Sequence, residues 1–180
     1  MPKGAITPTS KKINWIIDAI EEGEIKIPPF QRGFVWDGER VKSFLDSIYN
    51  NYPIGSILLW NSKDTLRSIR NIGGFLLPEN EPELPVNYVL DGQQRLTTLY
   101  GVFCKDRRPD PENNKIDLRL FDIYFDLNDE EFRHKEELKE GHSNLRMSAL
   151  FDTSKFLKEI KTLKSAYRTA AEDVLWTAPL

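Results

Sequence analysis

The sequence predicts an α+β fold: a small mixed sheet with helices packed around it and a helical C-terminal extension. Two observations carry this. Apolar residues recur at helical spacing in separate stretches, as at Ile13, Ile16, Ile17 and Ile20, at Val41, Phe44, Leu45 and Ile48, and at Leu96, Leu99, Tyr100 and Phe103. Between these lie short runs of strand character near Ile25, Ile57, Val89 and Ile123.

Taken in order, Ser10 is a candidate cap for the first helix, and Gly23 follows at a plausible end. Glu24 to Ile27 alternates as a short strand. Pro28-Pro29 stops it and forces an extended path into Phe30-Gln31-Arg32, delivering a polar pair at a strand end. The plain alternative is a solvated loop with Arg32 as a surface charge. Asp37 suits the N-cap of a helix through about Asn50, with Lys42 and Asp46 outward, and Trp36 before it suits a staple contact with Val41 or its neighbours. Ile54 to Trp60 reads as a buried strand in which Gly55 lets backbone approach closely.

Asn61 to Pro85 is a long charged, then glycine- and proline-rich segment, with a short hairpin expected around Gly73. Next comes the stretch with the densest chemistry. Asn87 to Leu90 reads as a buried strand, Gly92 as a turn, and the residues from Leu96 as a helix. A helix start directly after a tight turn presents unpaired N–H groups and a positive dipole end, a setting for an anion, and Arg95 adds a planar donor fork. A structural reading competes: Asp91 as N-cap with Gln94 three residues on is a capping-box pattern. That accounts for Asp91 and Gln94 but not for Gln93 and Arg95.

Beyond the central helix, Lys105 to Lys115 is a polar connection. Ile116 to Leu127 returns to strand character, with a parity change that predicts a break near Phe121. Asp117, Asp122 and Asp126 are expected to face solvent, and His134 and His142 lack the spacing of a zinc site, so no metal-ligating residue is assigned. Glu130 to Glu140 has helical tendency. Asp152 or Thr153 would cap a last helix with the stripe Phe156, Leu157, Ile160 and Leu163, running to about Trp176.

Composition narrows the function. A chain of 180 residues suits one domain with an appendage, and the division expected is residues 1–128 as the main domain and 129–180 as a helical extension or the start of a second domain. The net charge of −3 shows no basic footprint for strong DNA binding. Cys104, the only cysteine, excludes an intramolecular disulfide and suits a core position in a cytoplasmic protein. No stretch is long and apolar enough for a membrane span, and Met1 to Thr9 has no signal-peptide pattern.

Three motifs in order, Ile27-Pro28-Pro29-Phe30-Gln31-Arg32-Gly33-Phe34-Val35-Trp36, Tyr52-Pro53-Ile54-Gly55-Ser56-Ile57 and Asp91-Gly92-Gln93-Gln94-Arg95, resemble the N-terminal domain of GmrSD-type restriction endonucleases. That family is a branch of the ParB/sulfiredoxin-like superfamily. The resemblance spans about Ile13 to Leu127. It implies a ParB/sulfiredoxin-like core holding a nucleotide-binding, often NTP-hydrolysing module that governs a nuclease in DNA defence. It also implies one pocket in which Asp91, Gln93, Gln94 and Arg95 are catalytic and Gln31, Arg32, Gly92 and Arg95 bind phosphate. In that pocket Asp91 would orient water or Mg²⁺ and Gln93 or Gln94 would position the water. The sequence departs from the sulfiredoxin branch, since Gln93 stands where that branch carries its reactive cysteine. It also contains no His-Asn-His-type nuclease segment. The expected partners are a nucleoside triphosphate with Mg²⁺, DNA weakly or through another domain, and a nuclease domain or subunit. The alternative is a non-catalytic, phosphate-sensing adaptor using the same pocket.

Overall fold

The computed structural model describes residues 6–68, 71–78, 80, 84–104, 106–112 and 116–163. Among them the chain is a mixed α+β protein with four α-helices and three small three-stranded sheets. The helical continuation expected towards Trp176 lies outside the described residues.

Helix α1 spans Ile13–Glu21 and buries Ile13, Ile17 and Ile20 as its spacing predicts. Its N-cap is Lys12 and no side chain caps it, so Ser10 does not have the expected role. The backbone is extended at Lys12, which leaves Ser10 short of the first turn, while the Lys11 ammonium lies 4.1 Å from the centre of the Trp15 ring. Strand β1, Ile25–Lys26, follows. Helix α2, Gly38–Tyr49, is capped by Asp37, whose carboxylate accepts the Arg40 N–H at 2.9 Å. Trp36 packs edge-on to Phe44 of the same helix, with ring centres 5.5 Å apart. Lys42 points at Glu137, 2.7 Å away, so its side chain is mostly covered where solvent was expected.

Strand β2, Leu58–Ser62, pairs antiparallel with β5, Val86–Asp91, and β5 pairs in parallel with β1. The order β1-β5-β2 leaves β2 at the sheet edge. Edge position explains why Leu58 and Trp60 are exposed where a buried strand was expected. The hairpin around Gly73 is present as β3, Asn71–Ile72, and β4, Phe75–Leu76. The polar connection after helix α3, Gln93–Phe103, adds β6, Arg108–Pro109, to that hairpin.

The parity change near Phe121 has a physical form. A short 3-10 turn, Leu118–Phe121, replaces the first half of the expected strand, and β7, Ile123–Asp126, carries on from it. Asp117 starts the turn by accepting the Arg119 N–H at 3.0 Å. The turn drives Phe121 into the core at 1% exposure, between Phe34 and Phe75, with ring centres 5.0 and 5.3 Å away. It lies so close to Gly101 that a β-carbon there would meet the ring at 2.5 Å. The only cysteine is also core, its thiol 3.2 Å from a Glu21 carboxylate oxygen, and burial pushes it up to about 11.

Residues 130–140 are not a helix. Strand β8, Glu131–His134, pairs with β7, a 3-10 turn covers Lys135–Glu137, and β9, Asn144–Arg146, takes the other side of β7. The charge that suggested an exposed helix instead pairs across the β7–β8 hairpin, whose strands lie on either side of residue 128. Helix α4, Thr153–Thr162, is capped by Asp152 and buries Phe156 and Ile160, while Leu157 is exposed.

Asp126 was expected to face solvent and is fully buried. It accepts the Asn128 N–H at 2.9 Å and the Arg133 Nε–H at 3.0 Å, and lies 2.8 Å from His142 Nδ1. Burial by itself would raise this carboxyl, but the hydrogen bonds outweigh it and hold the group below its ordinary value. Asp126, Asp129 and His142 are close enough to share a cation. Arg133, however, already places its guanidinium between the two carboxylates, with Nη2 2.7 Å from Asp129. The cluster is thus an ion-pair network in which Arg133 takes the place between the carboxylates.

Two outcomes are expected. Phe121→Ala should cost about 3–5 kcal/mol, because it opens a cavity where Phe121 joins the rings of Phe34 and Phe75; urea unfolding with an unchanged denaturant slope measures it. A carboxyl depressed in the folded state stabilises above its unfolded value of about 3.9, and that stabilisation is lost as pH falls through the folded value. Stability should therefore fall with acidification from about pH 4 downward, and Asp126→Asn should lower stability at pH 7 while flattening this acid limb in thermal melts.

Candidate functional site

Because β1 and β5 run parallel, their C-terminal ends open on the same edge of the sheet, and the three sequence motifs meet there. Strand β5 ends at Asp91, which still pairs with Leu58 of β2. The chain then turns through Gly92, at φ 89°, and enters α3. Ordinary side chains avoid this left-handed conformation, and space is tight too: a β-carbon on Gly92 would lie 3.0 Å from the Ile57 α-carbon, which would have to give way. Gly92 is the N-cap of α3 and no side chain caps it. The capping box of Asp91 with Gln94 is therefore absent, because the ladder keeps Asp91 extended and moves the helix start one residue on.

Freed from capping, each polar residue takes a separate place. The Gln94 amide reaches the loop after β1, accepting the Val35 N–H at 2.9 Å and donating to the Gly33 carbonyl at 3.0 Å. Gln31, in the same loop, donates to the carbonyls of Val89 and Leu90 at 3.1 and 3.0 Å. These bonds stitch the first motif to the third. Arg95 stitches the second: its Nη2 donates to the Ser56 carbonyl at 2.7 Å and stands 3.5 Å from the Asp91 carboxylate. Gly55 supplies the close approach expected of it, since a β-carbon there would lie 3.4 Å from the guanidinium carbon.

Three features remain unsatisfied. Gln93 is 7% exposed, and its amide oxygen has no hydrogen-bond partner. The buried Nε of Arg95 has none either. The first N–H groups of α3 lack intrahelical partners, as in any helix, and no side chain caps them. The Asp91 side chain is 74% exposed. Arg32 is also exposed, next to the anchored Gln31. Thus Gln31, Gly92, Gln94 and Arg95 are tied together around one turn, Asp91 stands at its rim, and Arg32 projects to solvent.

Sequence reasoning missed a large apolar groove of about 1210 Å³ beside this turn, walled by Trp15, Ile16, Phe44, Ile48 and Leu59, with Arg95 on its lining. Ile16 was legible only as part of a core-facing stripe, and nothing in its spacing marks a groove.

The fold and site define a mixed α+β domain that holds an uncapped helix N-terminus beneath two anchored loops. The chain belongs to the family of the GmrSD restriction endonuclease N-terminal domain, whose family model matches residues 13–177. This places it in the context of restriction systems. A relative from Methanocaldococcus jannaschii, itself an uncharacterized protein, is 29% identical over 159 residues, covering 83% of this chain and 27% of that protein. The chain thus spans about a quarter of that relative's length. Among the described residues no helix is long and apolar enough to cross a membrane.

Gln94→Ala leaves the Val35 N–H and the Gly33 carbonyl without their partner. It should cost about 1–3 kcal/mol of stability and speed backbone hydrogen exchange at Val35; a variant as stable as the parent, with unchanged exchange, would show that the bridge does not hold the loop.

Proposed function

We propose that this chain is a nucleotide-binding and NTP-hydrolysing regulatory domain of a cytoplasmic, modification-dependent restriction system. The observation that carries the reading is the uncapped N-terminus of α3, with the buried, unpartnered Gln93 amide oxygen in its first turn. Partial positive charge there favours phosphate, and Arg95, also in the first turn, adds a full charge with donors to spare. The ParB/sulfiredoxin-like ancestry implied by the motifs belongs to the same proposal.

The residues then divide the work. Backbone N–H groups after Gly92 and the Arg95 guanidinium hold phosphate oxygens, and stabilise the charge that builds on them during phosphoanhydride cleavage. Gln93 is the glutamine placed to hold an attacking water by its proton, because Gln94 is occupied with Gly33 and Val35. Asp91, an exposed oxygen donor, is the residue that would hold Mg²⁺ brought in with the nucleotide, and the ion supplies charge neutralisation. Arg32, exposed beside the anchored Gln31, would reach outer phosphate charge. DNA contact is weak or made through another domain, and cleavage is left to a nuclease domain or subunit.

The adaptor reading stays in play through one observation: Gln31 and Gln94 are both committed to backbone bonds and hold architecture. Turnover separates the two. Arg95→Ala should weaken nucleoside triphosphate binding by roughly ten- to a hundredfold, the size of a lost charged hydrogen bond. Asp91→Ala should abolish phosphate release while retaining binding. Unchanged affinity in folded Arg95→Ala would overturn the site, and binding without release by the parent chain would establish the adaptor.

A further inference from the structure

The groove beside the turn runs between the open edge of the sheet and helices α1 and α2. Its volume of about 1210 Å³ exceeds the roughly 300–1,000 Å³ of ordinary small-molecule sites, so a nucleotide fits with room left over. Its lining is mainly apolar, and the charged residues on it, Lys11 and Arg95, are both cationic. That is notable in a chain with 28 acidic against 25 basic residues. Two aromatic side chains on this lining, Tyr52 and Trp60, are 64% and 47% exposed.

We infer that this groove is the base-binding subsite of the nucleotide whose phosphates Arg95 holds, an assignment that rests on the function proposed above. The occupant must match a flat or apolar body to an anionic end. An apolar helix from a partner would cover the Arg95 guanidinium with only the Asp91 carboxylate, 3.5 Å from Nη2, beside it and would bring no acceptor for Nε, and a polar group buried without a partner is costly. A nucleotide satisfies both parts. Its phosphates meet Arg95, where Nη2 is anchored on Ser56 and Nε has no partner. Its base enters among apolar walls within reach of exposed rings, which stack on any base through its π-face. Asn51 and Asn61, also on the lining, supply amides able to read a base edge.

Phosphate recognition and base recognition are therefore separable here. Titrating the chain with inorganic tripolyphosphate and with each of ATP, GTP, CTP and UTP, all with Mg²⁺, measures them apart. At least one nucleotide should bind about tenfold or more tighter than tripolyphosphate. The double variant Tyr52→Ala, Trp60→Ala, altered only at exposed side chains, should lose that margin and keep tripolyphosphate affinity. Equal affinity of all the nucleotides and tripolyphosphate for the parent chain overturns the subsite and leaves the phosphate site standing. So does a margin that survives in the folded double variant, or a loss that falls equally on both ligands. Failure of every ligand to bind overturns the phosphate reading, and this inference with it.

Discussion

The sheet edge where the three motifs meet depends on Gly92 adopting a left-handed conformation directly beneath Ser56 and Ile57. The constraint is double, because φ there is 89° and the space a side chain would need is filled by Ile57 backbone. This contact sets the distance between the end of β5 and the loop of residues 52–57. It thereby puts the Ser56 carbonyl where Arg95 reaches it from the first turn of α3. With a bulkier residue at 92 the loop would have to lift, and the anchor of Arg95 would go with it.

Polar side chains around this turn hold loops more than they point into a cavity. Gln31 and Gln94 each satisfy backbone groups of a neighbouring segment, giving an irregular, proline-rich loop a defined position without regular secondary structure. Buried backbone groups need partners, and a loop that cannot join a ladder finds them in side-chain amides. This leaves Gln93, the Arg95 Nε and the helix terminus as the unsatisfied set. In a folded protein such groups are costly enough to call for a reason, and the phosphate ligand proposed above would supply one.

Away from the site, order comes from two different sources. The 3-10 turn before β7 brings Phe121 between Phe34 and Phe75, so that the loop after β1, the β3–β4 hairpin and α3 share one aromatic contact. The β7–β8–β9 sheet is instead organised around a buried carboxylate. Asp126 is tolerated because Arg133, His142 and two backbone N–H groups surround it. Arg133 is itself shared with Asp129 and Glu131, and Lys139, beyond the hairpin, also pairs with Asp129.

The sequence by itself determined the elements whose physics is local. Helix α2 with its Asp37 cap, the α1 stripe, the Gly73 hairpin, the strand before Gly92 and the α4 cap at Asp152 all follow from spacing, φ preference or a side chain reaching three residues along. The parity change at Phe121 was readable as a break, though not as a 3-10 turn. Membership of the GmrSD N-terminal domain family was readable from the three motifs. Tertiary structure decided what depends on partners distant in sequence. Residues 130–140 are charged enough for an exposed helix, yet β7 offers ladder hydrogen bonds and Asp126 a buried counter-charge, so Glu131–His134 form a strand. Asp91 and Gln94 have the spacing of a capping box, but pairing to Leu58 and the reach to Gly33 and Val35 win. Local pattern fixes which conformations a segment can adopt; the long-range contact it can satisfy selects among them.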